Sequence, residues 1–146
     1  MKWPHPDLEL LHHELIRVTK QFLDEMGEYL PHGAIVTPEG NVGLVGSRTP
    51  EDQPGAQKTL KLLEAGLRQM AAQNKCRAAG IAIDIRLKNP PRVEDVGKDA
   101  IWTILEQRGG LSVSVYIPYW KSSSGQFTFG EPFSEPGAPR IFRLPT

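Results

Sequence analysis

The chain has 146 residues, of which 39% are hydrophobic and 23% are charged, and its 17 Lys and Arg residues balance 17 Asp and Glu residues. This length and composition are typical of one soluble globular domain, which we expect to span residues 1–146. A net charge of zero argues against nucleic acid as a partner, because a general polyanion binder needs an excess of cationic side chains to displace counterions.

The chain begins with a predicted amphipathic helix that starts near Asp7 and stops at Gly27. Asp is a common residue at a helix start, and Gly favours the left-handed backbone that ends a helix. Between them, apolar residues recur at steps of three and four, namely Leu8, Leu11, Leu15, Val18, Phe22 and Met26.

A β-hairpin and a second helix are predicted next. Residues 34–36 and 42–45 are short apolar segments around Thr37-Pro38-Glu39-Gly40, which has Pro and Gly where a tight turn needs them. After a polar loop, apolar residues at helical spacing predict a helix over about residues 56–74. These residues are Leu60, Leu63, Leu67 and Met70.

The most informative segment is residues 78–89, with the sequence AAGIAIDIRLKN. Its side chains alternate in a pattern of period two, which predicts a β-strand. Ile81, Ile83, Ile85 and Leu87 would point to a dry face, and Ala82, Asp84, Arg86 and Lys88 to a wet face. This pattern predicts a sheet covered by helices on one side and open on the other.

The remaining strands complete the predicted fold. Residues 99–107 and 111–119 read as strands joined at Arg108-Gly109-Gly110, and residues 126–129 as a last short strand. The predicted class is α+β, with a single antiparallel sheet of five to six strands and two helices packed on one face. The order of the elements is similar to that of profilin-like and roadblock-like domains.

The length of the loop at Gly109-Gly110 decides which way Trp102 points. A two-residue loop, which Gly-Gly favours, places Trp102 and Ile104 on the dry face. A three-residue loop places Ile101 and Leu105 there and moves Trp102 to the open face, because a slip of one residue inverts every side chain. We expect the two-residue loop and a buried Trp102.

Three charged residues are candidate ligand-binding groups. Arg48 lies before the second helix, whose N-terminus could hold an anion. Asp84 and Arg86 share one face of the central strand, and a carboxylate beside a guanidinium stays ionised, which is typical of a structural ion pair. No spacing in the sequence indicates a catalytic residue, a metal site or a cofactor.

Tyr119 and Trp120 are candidate interface residues. Large aromatic side chains with a polar group are frequent at protein interfaces, and they are equally common in strands. Zero net charge removes one barrier to self-association, so the predicted partner is another protein or a second copy of the chain.

Several features predict a cytoplasmic protein without a membrane partner. Cys76 is the single cysteine, so no intrachain disulfide can form, which fits a reducing compartment. The N-terminus lacks the apolar core of a signal peptide, and no apolar run approaches the length of a membrane span.

Short motifs spread over most of the chain resemble a group of small bacterial α+β proteins with no assigned activity. They occupy turn, strand and core positions, so the resemblance implies a fold and carries no catalytic residue. His32 stands where that pattern has an aromatic residue. The motifs are Phe22-Leu23, Gly27-Glu28-Tyr29, Pro31, Gly33-Ala34, Glu39-Gly40, Asp84-Ile85-Arg86, Asp99-Ala100-Ile101, Gly110, Tyr116-Ile117-Pro118-Tyr119 and Gly130-Glu131-Pro132-Phe133.

Two functional hypotheses follow from the sequence. The first is a non-catalytic protein-interaction or regulatory module, for example an immunity-like protein, because an open sheet face and an aromatic hairpin form a contact surface. The second is a small-molecule or anion-binding domain, with a minor hydrolase as one version, that uses Arg48 beside the sheet edge. A flat surface that contacts a second copy would favour the first hypothesis, and a deep cleft that holds Asp84 and Arg86 would favour the second.

Overall fold

The computed structural model describes residues 2–46 and 55–142, which form two helices and one antiparallel sheet. The strands are ordered β2-β1-β3-β4-β5-β6, and β7 pairs with β5 next to β6. The predicted α+β class is therefore confirmed, and the described residues form seven strands where five to six were expected. The elements are α1 (Pro6–Met26), β1 (His32–Val36), β2 (Val42–Val45), α2 (Ala56–Ala72), β3 (Ala78–Arg86), β4 (Asp99–Gln107), β5 (Ser112–Lys121), β6 (Phe127–Phe129) and β7 (Phe133–Pro136).

Helix α1 begins and ends close to the predicted residues. The side chain of His5, and not that of Asp7, caps its start, because Nδ1 of His5 accepts a hydrogen bond of 3.0 Å from the backbone N–H of Asp7. The Asp7 carboxylate instead accepts two hydrogen bonds of 2.9 and 3.0 Å from Arg77, which tie the helix to the start of β3. Gly27 ends the helix with a φ of +76°.

The two helices lie on opposite faces of the sheet, which corrects the expectation that both cover one face. A Cβ atom on Gly80 would lie 3.0 Å from the tip of Leu15 in α1. A Cβ atom on Gly33 would lie 3.2 Å from the tip of Leu63 in α2. Gly33 pairs with Ile81, the neighbour of Gly80, and neighbouring strand residues point to opposite faces. We call these faces the α1 face and the α2 face.

Strand β3 is buried on both sides over most of its length. All residues from Ala78 to Ile83 are buried, and exposure begins at Asp84. The predicted wet face is therefore covered by α1 as far as Ala82, where the prediction was wrong, whereas Asp84, Arg86 and Lys88 are exposed as predicted. Ala and Gly are small and nearly neutral in hydropathy. A strand in which they alternate with Ile can therefore have its Ala and Gly face either in water or against a closely packed helix.

The β4–β5 loop has three residues, and the expected two-residue loop was wrong. The backbone N–H of Gln107 donates to the carbonyl of Leu111 at 2.9 Å, and the first residue pair of the two strands is Glu106 with Ser112. Trp102 nevertheless lies on the expected side of the sheet, because it pairs with Ile83 on the α2 face, but it is half-buried and not fully buried. The α1 face receives Ile101, Leu105, Val113, Val115 and Ile117.

His32 packs among aromatic rings, as an aromatic side chain would at this position. It is buried, and its ring meets the rings of Phe22 and Tyr29 edge-on, with centroids 5.4 and 5.7 Å apart. Its Nε2 atom lies 2.9 Å from the hydroxyl of Thr19 in α1. The connector before β1 is therefore fastened to the helix by ring packing and a hydrogen bond.

Within residues 2–46 and 55–142, neither helix combines the length and the apolarity that crossing a membrane requires.

Replacing Gly80 with valine is expected to lower the free energy of unfolding by about 1–3 kcal/mol, because the added atoms overpack the contact between α1 and the sheet. A Cβ atom there would lie 3.0 Å from both Leu15 and Leu105. Gly66→Ala is the control, since nothing lies within 4 Å of a Cβ atom at this helical position. It is expected to stabilise the protein by about 0.5–1 kcal/mol. Urea unfolding measures both, and an unchanged midpoint for Gly80→Val would contradict the helix placement.

Candidate functional site

The structure separates the residues that the sequence suggested for ligand binding. Arg48 lies outside the described residues. Asp84 and Arg86 share the α1 side of β3, as predicted, but they do not pair with each other. Arg86 forms its ion pair with Asp99 at 3.5 Å, and Asp84 accepts a hydrogen bond of 2.7 Å from the hydroxyl of Tyr119.

Asp84 and Tyr119 belong to a structural cluster at the end of the α1 face. Burial raises the pKa of Asp84, and the hydrogen bond from Tyr119 offsets part of that rise. Burial also raises the pKa of Tyr119 and of Tyr29, whose buried hydroxyl has no hydrogen-bond partner among the described residues. The neutral hydroxyl of Tyr119 therefore links β5 to Asp84 at the end of β3, across the intervening strand β4.

The two candidate interface residues have different environments. Tyr119 is only 5% exposed, so its side chain is buried and is not available to contact a partner. Trp120 is half-buried, and the ammonium group of Lys98 lies 4.0 Å from the centroid of its ring. This cation–π contact fastens the β3–β4 loop to β5.

A row of stacked rings crosses the part of the α2 face that α2 leaves uncovered. Trp102, Tyr116 and Phe133 are direct neighbours on β4, β5 and β7, so their side chains stand side by side. The centroids of Trp102 and Tyr116 are 5.9 Å apart with planes 9° from parallel, and those of Tyr116 and Phe133 are 4.9 Å apart with planes at 14°. All three side chains are half-buried. We call this row the aromatic ladder.

The aromatic ladder borders a cleft of about 270 Å³, which we call the ladder cleft. One wall is the chain from the end of β3 to Pro90, and the other is formed by side chains of β5 and β7. The hydroxyl of Tyr116 donates to the Glu135 carboxylate at 2.6 Å, and burial raises the pKa of Tyr116 to about 12. The lining residues are Ile85, Arg86, Leu87, Lys88, Asn89, Pro90, Tyr116, Phe133 and Glu135.

The first wall of the ladder cleft is held in place by its own loop. Backbone hydrogen bonds join Leu87 to Lys98 at 2.8 Å and Gly97 to Leu87 at 2.9 Å. The guanidinium of Arg92 donates to the backbone carbonyl of Glu131 at 3.0 Å, just before β7. The loop therefore bridges the two walls, which limits how far the cleft can open.

The C-terminal segment, residues 140–142, lies along the α2 face next to Trp102. The carboxylate of Glu106 is fully buried and accepts hydrogen bonds from the backbone N–H groups of Arg140, Ile141 and Phe142, at 2.8, 2.9 and 3.2 Å. We call this arrangement the tail clamp. The guanidinium of Arg140 lies 5.2 Å from the ring centroid of Trp102, so it closes one end of the aromatic ladder.

Two more contacts fix Arg140 to helix α2. Its guanidinium donates to the carboxylate of Glu64 at 3.1 Å, and Arg68 donates to its backbone carbonyl at 2.8 Å. Arg68 also donates to Glu64 at 3.0 Å, which completes a small charged network.

Sequence reasoning missed Phe133, Glu135 and Glu106 as site residues. Phe133 and Glu135 lie in a proline-rich tail without a period-two pattern, so no local signal predicts that β7 pairs with β5. Glu106 did carry a signal, because it lies two residues from Ile104, and side chains at that spacing share one face of a strand. A charged residue at such a position needs a buried partner.

No three His, Cys, Asp or Glu side chains in the described part of the chain are placed to hold a metal ion. The chain matches no protein-family model, and neither curated proteins nor solved structures give a significant match. The function is therefore inferred from the ladder cleft and its lining.

Proposed function

We propose that the protein is a non-catalytic interaction module that binds a protein partner at the ladder cleft. The observation that carries this proposal is the half-exposed aromatic ladder beside a concave surface. Tyr, Trp, Phe and Arg are enriched at the centres of protein interfaces, and residues of these types dominate binding free energies. The aromatic ladder and Arg140 have this composition.

Contacts within the protein hold the side chains of the aromatic ladder in place in the absence of a partner. Tyr116 has a ring on both sides, and Trp102 lies between Tyr116 and the guanidinium of Arg140. Side chains held in this way lose little further rotamer freedom on binding, which lowers the entropic cost of association.

The size of the cleft favours a side chain of a larger partner. Its volume of about 270 Å³ lies below the usual range for small-molecule sites, which is about 300–1,000 Å³. One or two side chains would fill it, while the remaining contact area would come from the surface around it.

A second candidate function is a small-molecule or anion-binding domain. One observation favours it, since the cations Arg86 and Lys88 are among the residues that line the same cleft. An anion smaller than a peptide would then bind without any contact area outside the cleft.

A photo-crosslinking amino acid at position 133 tests the proposed function. In cells that produce the protein, we expect one discrete adduct with another protein when the probe replaces Phe133. Leu62 is the matched control, because it is an exposed apolar residue on α2, 41% accessible to solvent. Equal adducts at both positions, no adduct at position 133, or an adduct with the mass of two copies would contradict a distinct partner at this cleft.

A further inference from the structure

We infer that the protein forms a dimer in which the edge strand β2 pairs antiparallel with β2 of a second copy. The two sheets would then become one continuous sheet, with Leu44 on the two-fold axis opposite the same residue of the second copy. This edge lies away from the ladder cleft, so the inference goes beyond the proposed function and does not depend on it.

The two edges of the sheet differ in how they are protected against pairing. Strand β2 forms one edge, and β6 and β7 form the other. Prolines and charged side chains at an edge hinder the addition of a further strand. The β6–β7 edge has both, whereas residues 42–46, with the sequence VGLVG, have neither. The protecting residues at the β6–β7 edge are Glu131, Pro132, Glu135 and Pro136.

The turn before β2 fixes which backbone groups of the strand point outward. The N–H of Thr37 donates to the carbonyl of Asn41 at 2.8 Å, so these two residues form a hydrogen-bonded pair. Hydrogen-bonded and non-hydrogen-bonded pairs alternate along an antiparallel ladder. Gly43 therefore bonds to β1, while the N–H and C=O groups of Val42 and Leu44 point away from it. These outward groups are a template for another strand.

The edge is also accessible from both faces of the sheet. Helices α1 and α2 both pack on β1, the strand next to β2. The side chain of Leu44 nevertheless stays 54% exposed, and nothing lies within 4 Å of a Cβ atom placed on Gly46. A strand can therefore approach the described part of this edge without displacing either helix.

A second copy of the chain fits this edge by symmetry. With Leu44 on the axis, Val42 lies opposite Gly46, so the outward N–H and C=O groups of each strand meet those of the other. The two exposed leucines would cover each other, and Gly43 opposite Val45 leaves room on the other face. Neither the uncharged strand nor the net charge of zero opposes the approach of an identical chain.

Amide hydrogen exchange at protein concentrations of about 50 µM and about 1 mM tests the inference, with the mass followed by sedimentation. We expect the amides of Val42 and Leu44 to exchange more slowly at the higher concentration, in proportion to the loss of monomer. The amides of Gly43 and Val45 should be protected at both concentrations, because they bond to β1. Fast exchange of Val42 and Leu44 at both concentrations, or slow exchange in a protein that sediments as a monomer, would overturn the inference.

Two substitutions and one control locate the contact. Leu44→Lys is expected to raise the dissociation constant of the dimer at least about tenfold, because two ammonium groups would face each other across the axis. Leu44→Pro removes an outward N–H but no hydrogen bond to β1, so it should also weaken the dimer. Leu62→Lys is the control, since Leu62 is an exposed apolar residue on α2. An unchanged dimer in Leu44→Lys, or an equal loss in Leu62→Lys, would contradict pairing through β2.

The outcomes also separate this inference from the proposed function. Strand β7 lies at the far side of the sheet, five strand spacings of about 4.8 Å from β2, so the dimer leaves both ladder clefts free. Leu44→Lys should therefore leave the adduct at position 133 unchanged. An adduct from a strictly monomeric protein would refute only the dimer, and a dimer without an adduct would refute only the partner at the cleft.

Discussion

Replacing Glu106 with alanine is expected to lower the free energy of unfolding by about 3–5 kcal/mol, because the tail clamp depends on this one carboxylate. The side chain is 0% exposed and accepts hydrogen bonds from the backbone N–H groups of Arg140, Ile141 and Phe142. Alanine would leave three donors without a partner, and a buried unsatisfied donor costs about 1–3 kcal/mol. Urea or guanidinium unfolding at neutral pH measures the loss.

Two further variants sharpen this test. Glu106→Gln keeps an oxygen acceptor but loses the negative charge, so its effect should lie between those of wild type and Glu106→Ala. Glu28→Ala is the control, because Glu28 is exposed after α1 and should change stability by less than about 0.5 kcal/mol. A loss below about 1 kcal/mol in Glu106→Ala would show that the C-terminal segment is not held by this carboxylate.

Acidification from pH 6.5 to pH 4 is expected to remove about 3 kcal/mol of stability through His12 alone. Burial, followed by the neighbouring charge of His13, lowers the pKa of His12 from 6.5 to about 4 in the folded protein. The unfolded chain therefore binds the proton more tightly than the folded chain. The full contribution is present above pH 6.5 and is lost as the pH falls towards 4.

The contacts of His12 explain why its ring stays neutral. Its Nδ1 atom lies 3.0 Å from the hydroxyl of Thr103 in β4, and its ring centroid lies 5.0 Å from that of Trp3. Both neighbours are uncharged, so no anion offsets the cost of a buried imidazolium. Burial also lowers the pKa of His32, so protonation of His32 adds to the stability that the wild type loses in acid.

Comparing variants isolates the contribution of His12. The free energy of unfolding is measured from pH 7 to pH 4 in wild type, His12→Gln and His13→Gln. We expect the pH dependence to become shallower in His12→Gln and to stay near that of wild type in His13→Gln, since His13 is exposed. Parallel curves for wild type and His12→Gln would contradict the assignment.

Several parts of the fold were predictable because local interactions decide them. The start and end of α1 follow from helical spacing and from Gly27, and the turn between β1 and β2 follows from Pro38 and Gly40. In each case the controlling contacts join residues a few positions apart. Strand β3 was predicted from its period-two pattern for the same reason.

The faces of the sheet were not predictable from that pattern. Ala78, Gly80 and Ala82 look like a weakly polar face, but they are small residues that let α1 pack closely on the sheet. The loop at Gly109 and Gly110 has three residues, although both glycines adopt a positive φ, +106° and +99°, as the two glycines of a two-residue turn also would. Glycine permits several turns, so the dipeptide does not select one loop length.

By itself, the sequence determined the class of the fold and the positions of its main helices and strands. The tertiary structure alone decided that Phe133 stacks beside Tyr116, that Glu106 holds the C-terminal segment, and that Tyr119 is buried. The physical reason is the separation along the chain between the residues that interact. Turn geometry and periodicity act between near neighbours in the chain, whereas strand pairing at the sheet edge and the partner of a buried charge depend on residues far apart that meet only in the packed molecule.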